Sequence, residues 1–217
     1  MSEVSHTRPV ASAAARVRRN AMAGAMGPVG FLAVSFAMAL LRPEVIRAQG
    51  WASWPSSMAV GDPAGVGQIM AFLWLAGCYL AFALGALRPA LGDRLATGGF
   101  LAIAAGDVLL AFTTDGPGAA RTWHGVLHLV GVTVATVATR VATAGVTRAT
   151  RDRPDWRWWR RVAWVPFAAA ALGLFSVVDE GWAKVVYVIG ITLPAAVIAW
   201  FVYRDADRTV RLERDAT

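Results

Sequence analysis

The chain has 217 residues, of which 57% are hydrophobic and only 16% charged, and its formal charge is +7. Such unbroken apolar content excludes an ordinary soluble domain. The 20 arginines flank apolar segments and form no single basic face, which excludes a nucleic-acid surface and points to membrane topology. The lone Cys78 lies inside an apolar run, so no disulfide framework or zinc–thiolate site is available, and it reads as a small core residue.

Residues 1–20 are polar and basic, carry Arg8, Arg16, Arg18 and Arg19, and read as a disordered cytoplasmic tail. The pair Arg18-Arg19 is followed by Asn20-Ala21-Met22, which does not continue a twin-arginine export signal, so the first apolar segment is expected to stay as an uncleaved helix. Six apolar segments follow, at roughly 21–41, 65–87, 96–114, 123–146, 161–178 and 183–203. Each approaches the ~20 residues that span a bilayer core, where only helices satisfy their own backbone groups. The expected fold is therefore an all-α polytopic membrane helix bundle with six transmembrane helices over 21–203, followed by a charged cytoplasmic tail at 204–217.

The basic residues orient the bundle. With both termini inside, seventeen of the 21 fall in the tails, the Arg88/Arg94 turn and the Arg140–Arg161 loop, and only Arg42, Arg47, Arg121 and Lys184 fall outside. This asymmetry predicts a multi-pass protein of the cell (inner) membrane with both termini cytoplasmic.

The longest outer connection, 42–64, contains Trp51, Trp54, Pro55 and the turn-rich GDPAG at Gly61–Gly65. It reads either as an interfacial anchor or as a lid over an outward-facing cavity. The inner loop RDRPDWRWWRR interleaves Trp156, Trp158 and Trp159 with Arg157, Arg160 and Arg161. Tryptophan favours the head-group level, and each basic residue there gains about 1 kcal/mol with anionic lipid. These six residues are expected at a lipid interface, with anionic head groups and not nucleic acid as partners. Small residues at Gly98, Ala102 and Gly106 on the third helix, and Gly131 and Ala135 on the fourth, predict close helix approach. Pro166 and Pro194 are expected to kink the fifth and sixth helices. No internal repeat supports an inverted-repeat transporter.

Polar groups gather in the outer half. His124 and His128, at i and i+4, share a face with Gly131 and Ala135. Asp115 lies in the turn before them, and Asp107 is expected two turns into the third helix, near the midplane. Asp179 and Glu180 end the fifth segment on the same side, and Gln68 starts the second. Ionisable groups at membrane depth are costly and mark sites. Three readings stand: histidines capping the turn and bonding Asp115, a ligand or proton-relay cluster of Asp107, Asp115, His124 and His128, or a divalent metal (zinc or iron) on Asp115, His124 and His128. Haem is not expected, because both histidines share one helix and His6 lies in the tail. Ser176 has no nucleophile motif around it.

The stretch FTTDGPGAARTWHGVLHLVG resembles the F-P-T-D…H-G-x-x-H signature of domain-of-unknown-function family 998, six-helix membrane proteins common in bacteria. The second helix, GVGQIMAFLWLAGCYLAFALGALRP, is similar to that family's glycine-rich helix with its arginine-ended exit. The likeness covers about residues 25–203, with Thr113 in place of the usual proline. It implies the six-helix fold and carries over Asp115, His124, His128 and Asp107, while the family's activity is itself not established. The leading expectation is a membrane protein binding a lipid or small molecule in its outer half. The alternatives are a metal-dependent membrane hydrolase using Asp115, His124 and His128, and a structural or regulatory membrane subunit.

Overall fold

A computed structural model describes residues 7–51, 54–60, 65–115, 120–175 and 181–208. His6, Gly61–Ala64, Ser176, Asp179, Glu180 and residues 209–217 lie outside the described residues. All regular structure among the described residues is helical: α1 (Thr7–Leu41), α2 (Pro43–Gln49), α3 (Gly65–Phe82), α4 (Arg88–Leu91), α5 (Arg94–Leu110), α6 (Trp123–Ala149), α7 (Arg157–Val162), α8 (Val165–Phe175) and α9 (Gly181–Arg204), with short 3-10 and π turns between some of them. Among the described residues, four stretches are long and apolar enough to cross a membrane: Ser12–Leu41, Gly65–Leu91, Trp123–Ala149 and Gly181–Arg204. The segments expected third and fifth form the shorter α5, of 17 residues, and α8, of 11.

Three expectations change. The basic N-terminal stretch is not a disordered tail from Thr7 onward but the start of α1. Its alanines favour helix, Ala14, Val17 and Ala21 are buried, and Arg18 pairs with Asp207 at 2.6 Å while lying over the Tyr203 ring. The fifth segment is not one kinked helix. It divides into α7 and α8, and Pro166 sits in the first turn of α8, where its missing N–H costs nothing. In the Arg–Trp loop, two of the six residues expected at a lipid interface are buried in the protein instead. Trp156 and Trp159 are fully buried, and Trp156 stacks on Phe201 at 4.8 Å and donates its indole N–H to Asp205 at 2.9 Å. Arg160 is likewise committed inward, donating to the carbonyls of Thr150 and Arg153. Arg157, Trp158 and Arg161 remain exposed.

The tightest pairing is α5 on α6. A Cβ at Gly99 would lie 2.6 Å from the Ala142 amide nitrogen, one at Gly106 2.8 Å from that of Ala135, and one at Gly131 2.8 Å from the Gly106 carbonyl. Glycine is required here because backbone meets backbone. The seam therefore runs through Gly99 and Gly106, whereas Gly98, expected on it, faces open space. At the turn between α4 and α5, Gly92 takes φ 63° to close α4, and Asp93 caps α5 by accepting from the Ala96 amide. Asp93 also receives Arg148 from the last turn of α6 at 2.6 Å, which latches the pair.

Candidate functional site

The turn between α5 and α6 builds two polar groups. In the first, Thr122 is the N-cap of α6 and accepts from the Gly125 amide at 3.2 Å. Its own hydroxyl donates to Asp115 at 2.5 Å and its amide to the same carboxylate at 3.1 Å. His124 Nδ1 donates to the Thr113 carbonyl at 3.0 Å. The hydroxyl and amide of Thr122 hold the Asp115 carboxyl below the usual carboxylate range, helped by His124 and Arg121. A Cβ at Gly125 would run into that carboxylate, which is why glycine follows the first histidine. This group fixes the chain entry into α6.

The second group belongs to the buried His128. Its Nδ1 lies 2.7 Å from the Phe112 carbonyl, and a carbonyl only accepts, so Nδ1 carries the proton. In the neutral ring Nε2 then accepts the hydroxyl of Ser56, at 2.8 Å. Ser56 begins a 3-10 turn in the connection between α1 and α3, far away in sequence. That connection folds back onto the bundle. Trp54 is fully buried with its indole N–H on the Ser35 carbonyl, Met58 is buried, and Arg42 holds the Met58 and Val60 carbonyls. Gln68, buried beside it, donates to the Ser35 hydroxyl. Of the two readings of this stretch, the covering one matches the burial of Trp54, while Trp51 stays partly exposed at its edge.

Asp115 and His128 therefore face different partners. Among the described residues no group of three or more His, Cys, Asp or Glu side chains is gathered to hold a metal ion. The set Asp115, His124 and His128, expected as a zinc or iron site, does not assemble as one. The i, i+4 spacing aligns two Cβ atoms, but each ring turns to a different carbonyl of the preceding turn.

Below the covering loop lies a cavity of about 70 Å³. Phe31, Phe72, Leu75, Ile103, Val188 and Ile191 supply apolar wall, and Pro55 and Ser56 contribute from the covering loop. Its polar lining comes from Asp107, Tyr79, Thr136, Tyr187 and Lys184. The volume suffices for several waters or for part of a small organic group. Asp107 is 4% exposed, and its Oδ2 has no hydrogen-bond partner. It sits one turn from the C-terminal end of α5, and not two turns deep as expected, because α5 ends at Leu110. Lys184 lies in the first turn of α9 over the Tyr187 ring, 5.0 Å from its centroid, and Tyr187 is hydrogen-bonded to Thr136 of α6.

Sequence reasoning placed Lys184 among topology-setting charges and missed Tyr79, Ser56, Thr136 and Tyr187. One signal was available: the chain uses arginine twenty times and lysine once, and that lysine interrupts an apolar helix. No family model matches the chain, and neither the curated proteins nor the solved structures include a match.

Proposed function

We propose that the protein is a six-span integral membrane protein that binds a lipid or small amphipathic molecule in the cavity beside Asp107. The four long apolar stretches are compatible with an integral membrane protein. By helical rise α5 reaches about 26 Å, close to the thickness of a bilayer core. The observation that carries the binding reading is the partnerless, buried Oδ2 of Asp107 in a cavity walled mainly by apolar side chains. An unpaired buried polar atom costs about 1–3 kcal/mol, and protein interiors rarely keep such voids. Ligand sites combine mainly apolar walls with a few fixed polar groups.

Native mass spectrometry of the protein released from detergent tests the reading. A small-molecule or lipid adduct is expected on the wild type and not on Ile191→Trp, which fills the cavity wall. An adduct unaffected by Ile191→Trp would place the bound molecule elsewhere.

The orientation has both termini in the cytoplasm, supported by the distribution of basic residues. Reporters fused after Thr217 and within residues 48–60 are expected on opposite sides of the membrane. At the inner face, Arg157, Trp158 and Arg161 are the exposed members of the Arg–Trp loop and its helix, and they contact anionic head groups. Neutralising Arg157 and Arg161 together is expected to weaken salt-sensitive association with anionic vesicles.

A further inference from the structure

We infer that the cavity ligand is a zwitterion carrying an ammonium group for Asp107 and a phosphate or carboxylate for Lys184, and this rests on the cavity being a binding site. A carboxyl and an amine, opposite in charge when both are ionised, line one cavity, Asp107 one turn from the C-terminal end of α5 and Lys184 in the first turn of α9. Among the described residues they form no ion pair with each other or with any other residue. An acid and an amine placed for structural purposes alone would be expected to close on each other, since leaving either alone at this depth is costly. Here the protein holds them apart. Asp107 is fixed because α5 is locked to α6 at Gly106, one residue away. Lys184 is held on Tyr187, which is itself tied to Thr136.

The two positions ask for complementary groups on the occupant. The Oδ2 of Asp107 accepts and has no donor, so it takes an N–H, and an ammonium adds charge to that bond. Lysine has only donors, so Lys184 takes an oxyanion. A lone cation would leave Lys184 repelling it, and a lone anion would meet Asp107. A molecule with both charges a few bonds apart satisfies each, and its apolar part has Phe31, Phe72, Leu75 and Ile191 to lie against. Phosphoethanolamine chemistry has this form, whether as the head group of a phospholipid or as the free compound.

Detergent-purified protein is titrated with three probes: phosphatidylethanolamine, phosphatidylglycerol with the same acyl chains, and free phosphoethanolamine. The phosphatidylglycerol head group keeps the phosphate but has no ammonium. Binding of phosphatidylethanolamine is expected to exceed that of phosphatidylglycerol and to fall by roughly tenfold or more in both Asp107→Asn and Lys184→Gln. Comparable binding of free phosphoethanolamine would identify the soluble compound as sufficient, and its failure would identify the lipid as the source. Equal binding of the two lipids, unchanged in Asp107→Asn but lost in Ile191→Trp, overturns the zwitterion and leaves an apolar-ligand cavity. Lipid binding unchanged in Ile191→Trp overturns the cavity reading itself. No binding of any probe to the wild type also overturns the zwitterion. Melting curves of each variant without probe separate lost binding from lost fold.

Discussion

The helix α6 is held in opposite ways on its two sides. Toward α5 it meets backbone with backbone, through Gly99 against Ala142 and Gly106 against Ala135. Toward α9 it faces the cavity, bridged by the Thr136–Tyr187 hydrogen bond. The first side gains dispersion contacts along the whole seam. The second side gives up such contacts around Asp107 and Lys184. A fold able to close one side so tightly has kept a mostly apolar hollow with a few polar groups on the other, and the proposed binding site accounts for that difference.

The contrast breaks most sharply at the seam. Gly99→Leu is expected to destabilise the bundle by about 3 kcal/mol, because the helices must separate to admit the side chain. The adjacent Gly98→Leu faces open space and is expected to change stability by less than about 0.5 kcal/mol. Thermal unfolding of both in mild detergent checks the pair, and equal losses would place the seam on the wrong face. Next comes the cover of the cavity. His128→Ala removes the partner of both the Phe112 carbonyl and Ser56, at about 2 kcal/mol, and should speed proteolysis within residues 42–60.

At the hollow itself the sign reverses. Asp107→Leu is expected to raise the stability of the ligand-free protein by about 1 kcal/mol, since it removes a partnerless buried carboxyl. A drop of similar size would mean that Asp107 holds the fold. A smaller effect belongs to the latch between Asp93 and Arg148. Burial pushes the Asp93 carboxyl up, but the Ala96 amide and Arg148 outweigh it and leave the group below its ordinary range. A depressed folded value means that this stability is present at neutral pH. It is lost as pH falls below about 4, through the folded value. Asp93→Asn should remove that part of the acid dependence and cost about 0.5–1 kcal/mol at neutral pH.

Helices and seam were legible to different depths. Hydropathy marked the four long apolar helices because length and bulk composition are carried directly by a sequence, while the third and fifth expected segments hold the shorter α5 and α8. Small-residue spacing found Gly106 and Gly131 but chose Gly98 over Gly99, since a one-residue shift turns the face by about 100° and only packing decides between neighbours. The histidine motif found the residues of the turn but not their split. Ring direction depends on the carbonyls of Thr113 and Phe112, which composition does not encode. Trp156 was assigned to an interface by the ordinary preference of tryptophan, and Phe201 and Asp205, far along the chain, override it. The cavity was the least legible part. Its walls come from α1, α3, α5, α6, α9 and the outer connection, and only their assembly brings Lys184 and Asp107 to one space.

The claim that this hollow exists to be filled is tested most directly by melting wild type and Asp107→Leu with and without added phosphatidylethanolamine. A ligand that binds the folded state raises the melting temperature in proportion to the logarithm of its concentration over Kd. Our account predicts that the wild type starts lower and rises with lipid while Asp107→Leu starts higher and does not move. Equal lipid-dependent shifts in both proteins would contradict it.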